Sequence, residues 1–252
     1  MTEPPGRSGR PTKIDAGMLH WDVDFEKGMS PFPWVTLLMI VLCTAAFVCQ
    51  MASGALDNLQ DLVEAGALAS EPVHDGQLWR LVSATFLHGG VGHLMGNMVM
   101  LYILGMANEH AYGRLQFLTL YVFSGMGGSL LSLTSGQTSV GASGAIFGLG
   151  GAMLVFFRRE RSKLHLRDKR IALVILVWTV YQLLLGTVTP QVDNLAHLGG
   201  LLSGCLLACV LQPALLVGRK KVAAEARTQA GFVAACLCLI VTAVFFIPRL
   251  VG

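Results

Sequence analysis

Ser143, His197, His93 and Asn97 each fall inside a long apolar stretch of the chain, where polar side chains are costly and therefore informative. Their types suit nucleophilic chemistry. A serine hydroxyl becomes a competent nucleophile when a histidine takes its proton, and the histidine can later return that proton to a leaving amine. The oxyanion formed on the way needs donors. The Asn97 amide, the His93 imidazole and the free backbone N–H groups of a helix starting at Ser143 are candidates, and donors of this kind matter most in a low-dielectric site. His93 and Asn97 are four residues apart, so they share one helix face.

The elements that position them follow from composition. The chain has 252 residues, 54% of them hydrophobic and 13% charged, with 29 glycines and a mean hydropathy of +0.62. An ordinary soluble domain carries about 25% charged residues, and a disordered chain more charge still with little Leu, Ile, Val or Phe, so both classes are excluded. The net charge of +3 is too small to argue for nucleic acid. Apolar blocks of about 17–22 residues are long enough to cross ~30 Å of hydrocarbon as helices. The expectation is an all-α polytopic membrane protein with spans at 34–53, 93–108, 115–134, 142–157, 171–189, 195–211 and 231–247. Residues 1–33 read as a mobile polar cytoplasmic tail rather than a signal peptide, with an interfacial stretch around Ile14, Met18, Leu19, Trp21 and Phe25. Residues 34–211 form the core, 212–230 a cytoplasmic linker and 231–247 an additional helix.

Basic residues fix the direction. Seven lie between Arg158 and Arg170, four in the tail and four in the 212–230 linker; with Arg114 they share one side, leaving Arg80 and Arg249 opposite. By the positive-inside rule the N-terminus is cytoplasmic and the C-terminus extracytoplasmic. All four polar residues then lie near outer helix ends. Ser143 is 15 residues before Arg158, and His197 is 16 before Pro213, so both stand ~22–24 Å above the cytoplasmic ends of their helices. They are level with one another. Gly144 with Gly148, and Gly200 with Gly204, supply small-xxx-small pairs that allow close helix approach beside each residue.

Residues 54–92 are expected to form an extracytoplasmic segment with apolar residues at helical spacing, lying in the interface or packed on the bundle as a small loop domain. Cys43, Cys49, Cys205, Cys209, Cys236 and Cys238 all lie in apolar blocks and read as small packing residues. No internal repeat is visible.

From about residue 78 to 205 the chain resembles the rhomboid intramembrane serine proteases. The resemblance rests on Trp79-Arg80, the run from Phe86 through His88 and His93 to Asn97, Glu109 with Gly113-Arg114, Gly141-Ala-Ser143-Gly144, and Ala196-His197-Leu-Gly-Gly200. It implies a six-helix core with Ser143 as nucleophile and His197 as base in a dyad without an obligatory acid, and an oxyanion hole formed by His93, Asn97 and the Ser143 backbone. It further implies transmembrane protein substrates in a lipid bilayer, no cofactor and no metal. The block at 231–247 resembles the extra C-terminal helix of some members. Many relatives carry Tyr one turn after the serine; here it is Phe147, which keeps a ring but no hydroxyl. Asp193 is read as a helix cap rather than a partner of His197. Arg80, Glu109 and Arg114 read as structural, and His88 is not counted as catalytic. A catalytically silent client-binding relative would have lost Ser or His from these motifs. A metalloenzyme using His88, His93, His197 and Asp193 lacks an HExxH, and a transporter would need repeat symmetry or a buried charged pathway.

Overall fold

The computed structural model describes residues 23–165, 169–189 and 192–217. Among them are six long helices, α1 (Trp34–Ser53), α5 (Val91–Tyr112), α6 (Arg114–Ser132), α7 (Ser143–Arg159), α8 (Lys169–Val188) and α9 (Asn194–Val210), and four short ones, α2 (Leu59–Glu64), α3 (Ser70–His74), α4 (Arg80–Ser83) and α10 (Ala214–Val217). No strand forms among the described residues; two isolated bridges, Val23 to Leu164 and Leu68 to Ser139, tie loops together. The linker from 218 onward and the block at 231–247 lie outside the described residues.

Among the described residues, four helices are long and apolar enough to cross a membrane: α1, α6, α8 and α9 with its extension to Leu216. The exceptions, α5 and α7, carry His93, Asn97 and Ser143. In α7, 12 of 17 residues are buried, so this helix is shaped by its protein neighbours rather than by lipid. It sits at the centre, flanked by α5, α6, α8 and α9. Packing there is between backbones. A Cβ at Gly200 would collide with the Gly144 carbonyl oxygen, one at Gly204 with that of Gly148, and one at Gly151 would lie 2.6 Å from the Leu201 oxygen. Lipid tails are as apolar as leucine, so helices in a membrane gain most by such close approach of small residues.

Two helix ends outrun the expected spans because a charged residue finds a partner inside the protein. The second span does not stop at 108. Glu109 instead accepts hydrogen bonds from the Val35 and Thr36 amides at 3.2 and 3.0 Å and from Thr36 Oγ1 at 3.1 Å, supplying the cap that Pro33 cannot give α1. At 22 residues α5 is about 33 Å long, enough to cross. Likewise α7 runs to Arg159, whose Nη1 donates to the carbonyls of Ala208, Cys209 and Leu211 at the end of α9.

The tail differs from the expectation. Phe25 is only 1% exposed; its ring lies 5.5 Å from Phe156 and 5.1 Å from Phe157, inside the bundle rather than at an interface. The Val23 amide donates to the Lys163 carbonyl at 2.7 Å, so residues 23–29 are docked. Ile14, Met18, Leu19 and Trp21 lie outside the described residues. Cys49 and Cys209 are exposed rather than packed, while Cys43 is buried.

The segment between α1 and α5 folds around Arg80. Its Nη1 donates to the carbonyls of Val63 and Ala67, its Nε to Gln77 Oε1 at 2.9 Å, and its guanidinium lies 4.7 Å from the Trp79 ring centroid. Leu68, Val73, Leu81 and Ala84 make a small core packed on Met126, Leu130 and Leu133.

Candidate active site

Ser143 is the first residue of α7, and the backbone is delivered to it by Gly141 at φ 132°, a conformation that only glycine adopts readily. Glycine is needed there for space too: a Cβ would lie 2.7 Å from His93 Cε1 and 2.8 Å from Nε2. The same position is 3.7 Å from Asn97 Nδ2. His93 and Asn97, one turn apart on α5, therefore face the main chain two residues before the serine. The Gly141 amide donates to the Ala84 carbonyl at 2.9 Å, and Leu68 and Ser139 exchange N–H to O bonds of 3.0 and 2.9 Å. These contacts fasten the stretch that leads into Ser143 to the segment between α1 and α5.

His197 lies in the first turn of α9 and is 7% exposed. A Cβ at Gly144 would lie 3.3 Å from the Ala196 carbonyl oxygen, so Ser143-Gly144 and Ala196-His197 are adjacent across the α7–α9 seam. Phe147, one turn after Ser143, stacks on the imidazole with centroids 4.1 Å apart and planes 10° from parallel. Trp178 of α8 packs against Phe147 in turn, at 5.2 Å. Asp193 does not touch the ring: its carboxylate accepts from the Ala196 amide at 2.9 Å and from the Ser132 hydroxyl. The cap reading holds, with a tie to α6 added.

Asn97 Nδ2 and His197 Nδ1 are among the buried polar atoms that have no hydrogen-bond partner among the described residues. An unsatisfied buried donor is costly, and sites that keep one commonly meet it with a reacting group. The start of α7 has no side-chain cap, so its first-turn amides and positive dipole end are available to an anion. A cavity of about 20 Å³, lined by Ser143, Gly141, Gly144, Ala196, Ser129 and Ser139, adjoins the serine. That is room for about one water.

His88, in the outer segment just before α5, is fully buried. Gln50 clamps its main chain, donating from Nε2 to the His88 carbonyl at 3.2 Å and accepting from its amide at 3.0 Å. The His88 ring lies 5.2 Å from that of His93. Burial lowers its pKa to about 4, with nearby His93 adding to the shift and the hydrogen bond to the Phe86 carbonyl opposing it. His88 is thus neutral beside His93. Among the described residues no group of three or more His, Cys, Asp or Glu gathers as a metal site.

Sequence reading singled out Ser143, His197, His93 and Asn97, which the fold gathers at the starts of α7, α9 and α5, and passed over Gln50, Ser132 and Trp178. Gln50 and Ser132 carried the same signal as the others, a polar group within an apolar block; Trp178 carried none.

Residues 75–214 match the family model described as Rhomboid domain. The chain is 44% identical over 158 residues to RHOMBOID-like protein 5 of Arabidopsis thaliana, covering 61% of this chain and 50% of the relative. It is 37% identical over 188 residues to Rhomboid protease GluP of Bacillus subtilis, covering 74% and 36%. It is 34% identical over 181 residues to Rhomboid-like protease 3 of Toxoplasma gondii, covering 70% and 67%. The chain spans half or less of the length of the first two of these curated relatives.

Proposed function

This chain belongs to the rhomboid family of membrane proteins, and on that footing we propose that it is an intramembrane serine endopeptidase using Ser143 and His197. His197 takes the Ser143 proton as Oγ attacks the scissile carbonyl carbon. The oxyanion then accepts hydrogen bonds from Asn97 Nδ2, the His93 ring and the Ser143 amide. Collapse breaks the C–N bond, and the imidazolium gives its proton to the leaving amine; water, activated by the same histidine, next hydrolyses the acyl-serine.

The observation that carries this reading is the convergence on the short stretch from Gly141 to Gly144. His93 and Asn97 face Gly141, and the close approach of Gly144 to the Ala196 carbonyl supports pairing of the neighbouring Ser143 and His197. The unpartnered Asn97 amide supports an oxyanion role over a packing one. His93 and Asn97 act in stabilisation; Gly141, Gly144, Gly200 and Phe147 position the reacting groups. Neither a cofactor nor a metal has a part in the scheme.

The substrate is a membrane protein whose transmembrane helix unwinds near the Ser143 end of the bundle, because a folded helix shields its own amides from attack. A small residue before the scissile bond suits the small-residue surroundings. Basic side chains gather at the opposite end, which supports a cytoplasmic N-terminus in a multi-pass cell-membrane protein. Ser143→Ala and His197→Ala should each abolish cleavage of a model transmembrane substrate without lowering expression, and a fluorophosphonate should label the wild type but not Ser143→Ala. Persistent cleavage by Ser143→Ala overturns the assignment.

A further inference from the structure

α1 supplies none of the reacting groups, yet its last turn is tied to the chain just ahead of the oxyanion donors. Gln50 lies three residues before the end of α1 and is 2% exposed. A buried carboxamide is costly unless both its ends are met, and here one residue meets both. Nε2 donates to the His88 carbonyl at 3.2 Å, and Oε1 accepts from the His88 amide at 3.0 Å. Among the described residues, Leu87, His88 and Gly89 make no backbone–backbone hydrogen bond. The Gln50 amide therefore does for this connection what a neighbouring strand does in a sheet, gripping the main chain through its donor and its acceptor together.

The consequence falls on His93. The Gly89 amide, directly after the gripped residue, donates to His93 Nδ1 at 3.5 Å. In a neutral imidazole one nitrogen accepts and the other carries the proton. With Nδ1 accepting, the proton sits on Nε2. That is the nitrogen turned toward the main chain leading into Ser143, since a Cβ at Gly141 would lie 2.8 Å from it. The other tautomer would set an N–H against the Gly89 N–H and present a lone pair to the forming oxyanion, which it would repel. At 3.5 Å the bond is near the limit of its range, so it persists only where the His88–Gly89 main chain is held still. The His88 ring, edge-on to His93 with centroids 5.2 Å apart, limits the tilt of the imidazole from the same side.

We propose that Gln50 is a positioning residue for the oxyanion hole: by gripping His88 it keeps the Gly89 amide on His93 Nδ1, and so keeps an Nε2–H rather than a lone pair facing the main chain between Gly141 and Ser143. The inference rests on the reading of Ser143 as nucleophile and His93 as oxyanion donor. Gln50 acts only through residues 88, 89 and 93. Its effect is to have the His93 donor aimed before the oxyanion forms, so that no reorientation is needed at the moment of reaction.

The test compares Gln50→Met, which keeps the length of the side chain and loses both hydrogen bonds, with Glu109→Gln, which loosens the other end of α1. Cleavage of a model transmembrane substrate by the full chain in vesicles is measured well below the melting temperature, per competent serine counted from the endpoint of fluorophosphonate labelling. Gln50→Met should lower kcat by about 10-fold or more and leave KM within about twofold of wild type. A purely structural role predicts that it loses no more kcat than Glu109→Gln at an equal fall in Tm, and that result overturns the proposal. Nitrogen NMR of isotope-labelled histidine, with the His93 signals assigned by their absence in His93→Gln, should place the proton on Nε2 in the wild type and mix the tautomers in Gln50→Met. A proton on Nδ1 in the wild type, or an unchanged tautomer in Gln50→Met, overturns it as well. If Gln50→Met does not accumulate, Gln50→Asn, one methylene too short to span both main-chain groups, is read by the same two measurements. Cleavage that persists in Ser143→Ala overturns this inference together with the reading beneath it; an inactive Ser143→Ala beside any of the failures above overturns this inference alone.

Discussion

Phe147 and His197 lie ring on ring, 4.1 Å between centroids and 10° from parallel. An imidazole held on a flat hydrocarbon face keeps rotation about its plane but little tilt, so its proton-accepting nitrogen sweeps a restricted arc. Since no side chain holds His197 Nδ1 among the described residues, the phenyl ring is the contact that fixes the imidazole plane, and in the proposed dyad it would fill the orienting role that a carboxylate fills in a triad.

Phe147→Ala should therefore lower kcat by roughly 10–100-fold with little change in KM, as expected when a catalytic group loses orientation rather than substrate contact. Phe147→Tyr should retain most activity. Steady-state cleavage of a transmembrane substrate in reconstituted vesicles separates the two parameters.

Gly200→Ala should destabilise the protein by about 1–3 kcal/mol through overpacking and depress activity with it, because the new methyl would strike the Gly144 carbonyl. Gly96→Ala is the control: nothing lies within 4 Å of a Cβ there, and stability should stay level or rise. Unfolding in mixed micelles compares the two.

Removing the charge at Glu109 strips the start of α1 of its cap. Glu109→Gln should cost about 1.5–3 kcal/mol, the range for hydrogen bonds to an ionised acceptor, since the side chain is only 8% exposed. Activity measured well below the melting temperature should fall far less than it does in Phe147→Ala.

His88 makes the outer segment acid-sensitive. Its pKa falls from 6.5 to about 4 in the folded protein, so between those values an opened segment binds a proton that the folded one refuses. Stability is unaffected above about pH 6.5 and declines as pH drops toward 4, by up to about 1.4 kcal/mol per unit. Hydrogen exchange of amides 78–90 at pH 7 and pH 5 should show this loss of protection, and His88→Gln should flatten the difference.

The four polar residues of the candidate site were easier to single out in the sequence than the scaffold around them. Uncharged polar residues inside apolar blocks are rare enough to stand out, and the glycine pairs beside Ser143 and His197 showed where backbones meet. What stayed hidden depends on tertiary partners. Glu109 looks like the end of a span until the α1 amides are seen to need it. Phe25 belongs to a polar tail by composition, and only the groove beside Phe156 and Phe157 explains its burial. Trp178 sits in an apolar block where a ring facing Phe147 and one facing lipid read alike.

The seam between α7 and α9 has a consequence for how such a chain diverges. Main chain packed on main chain offers no rotamers to readjust, so the glycines at 200 and 204, where a Cβ would strike a carbonyl oxygen, cannot be exchanged by small steps. The outward face of α8, where only 17% of the apolar window is buried, meets no such constraint. Substitutions should therefore be tolerated on the outward face of α8 and resisted along the seam.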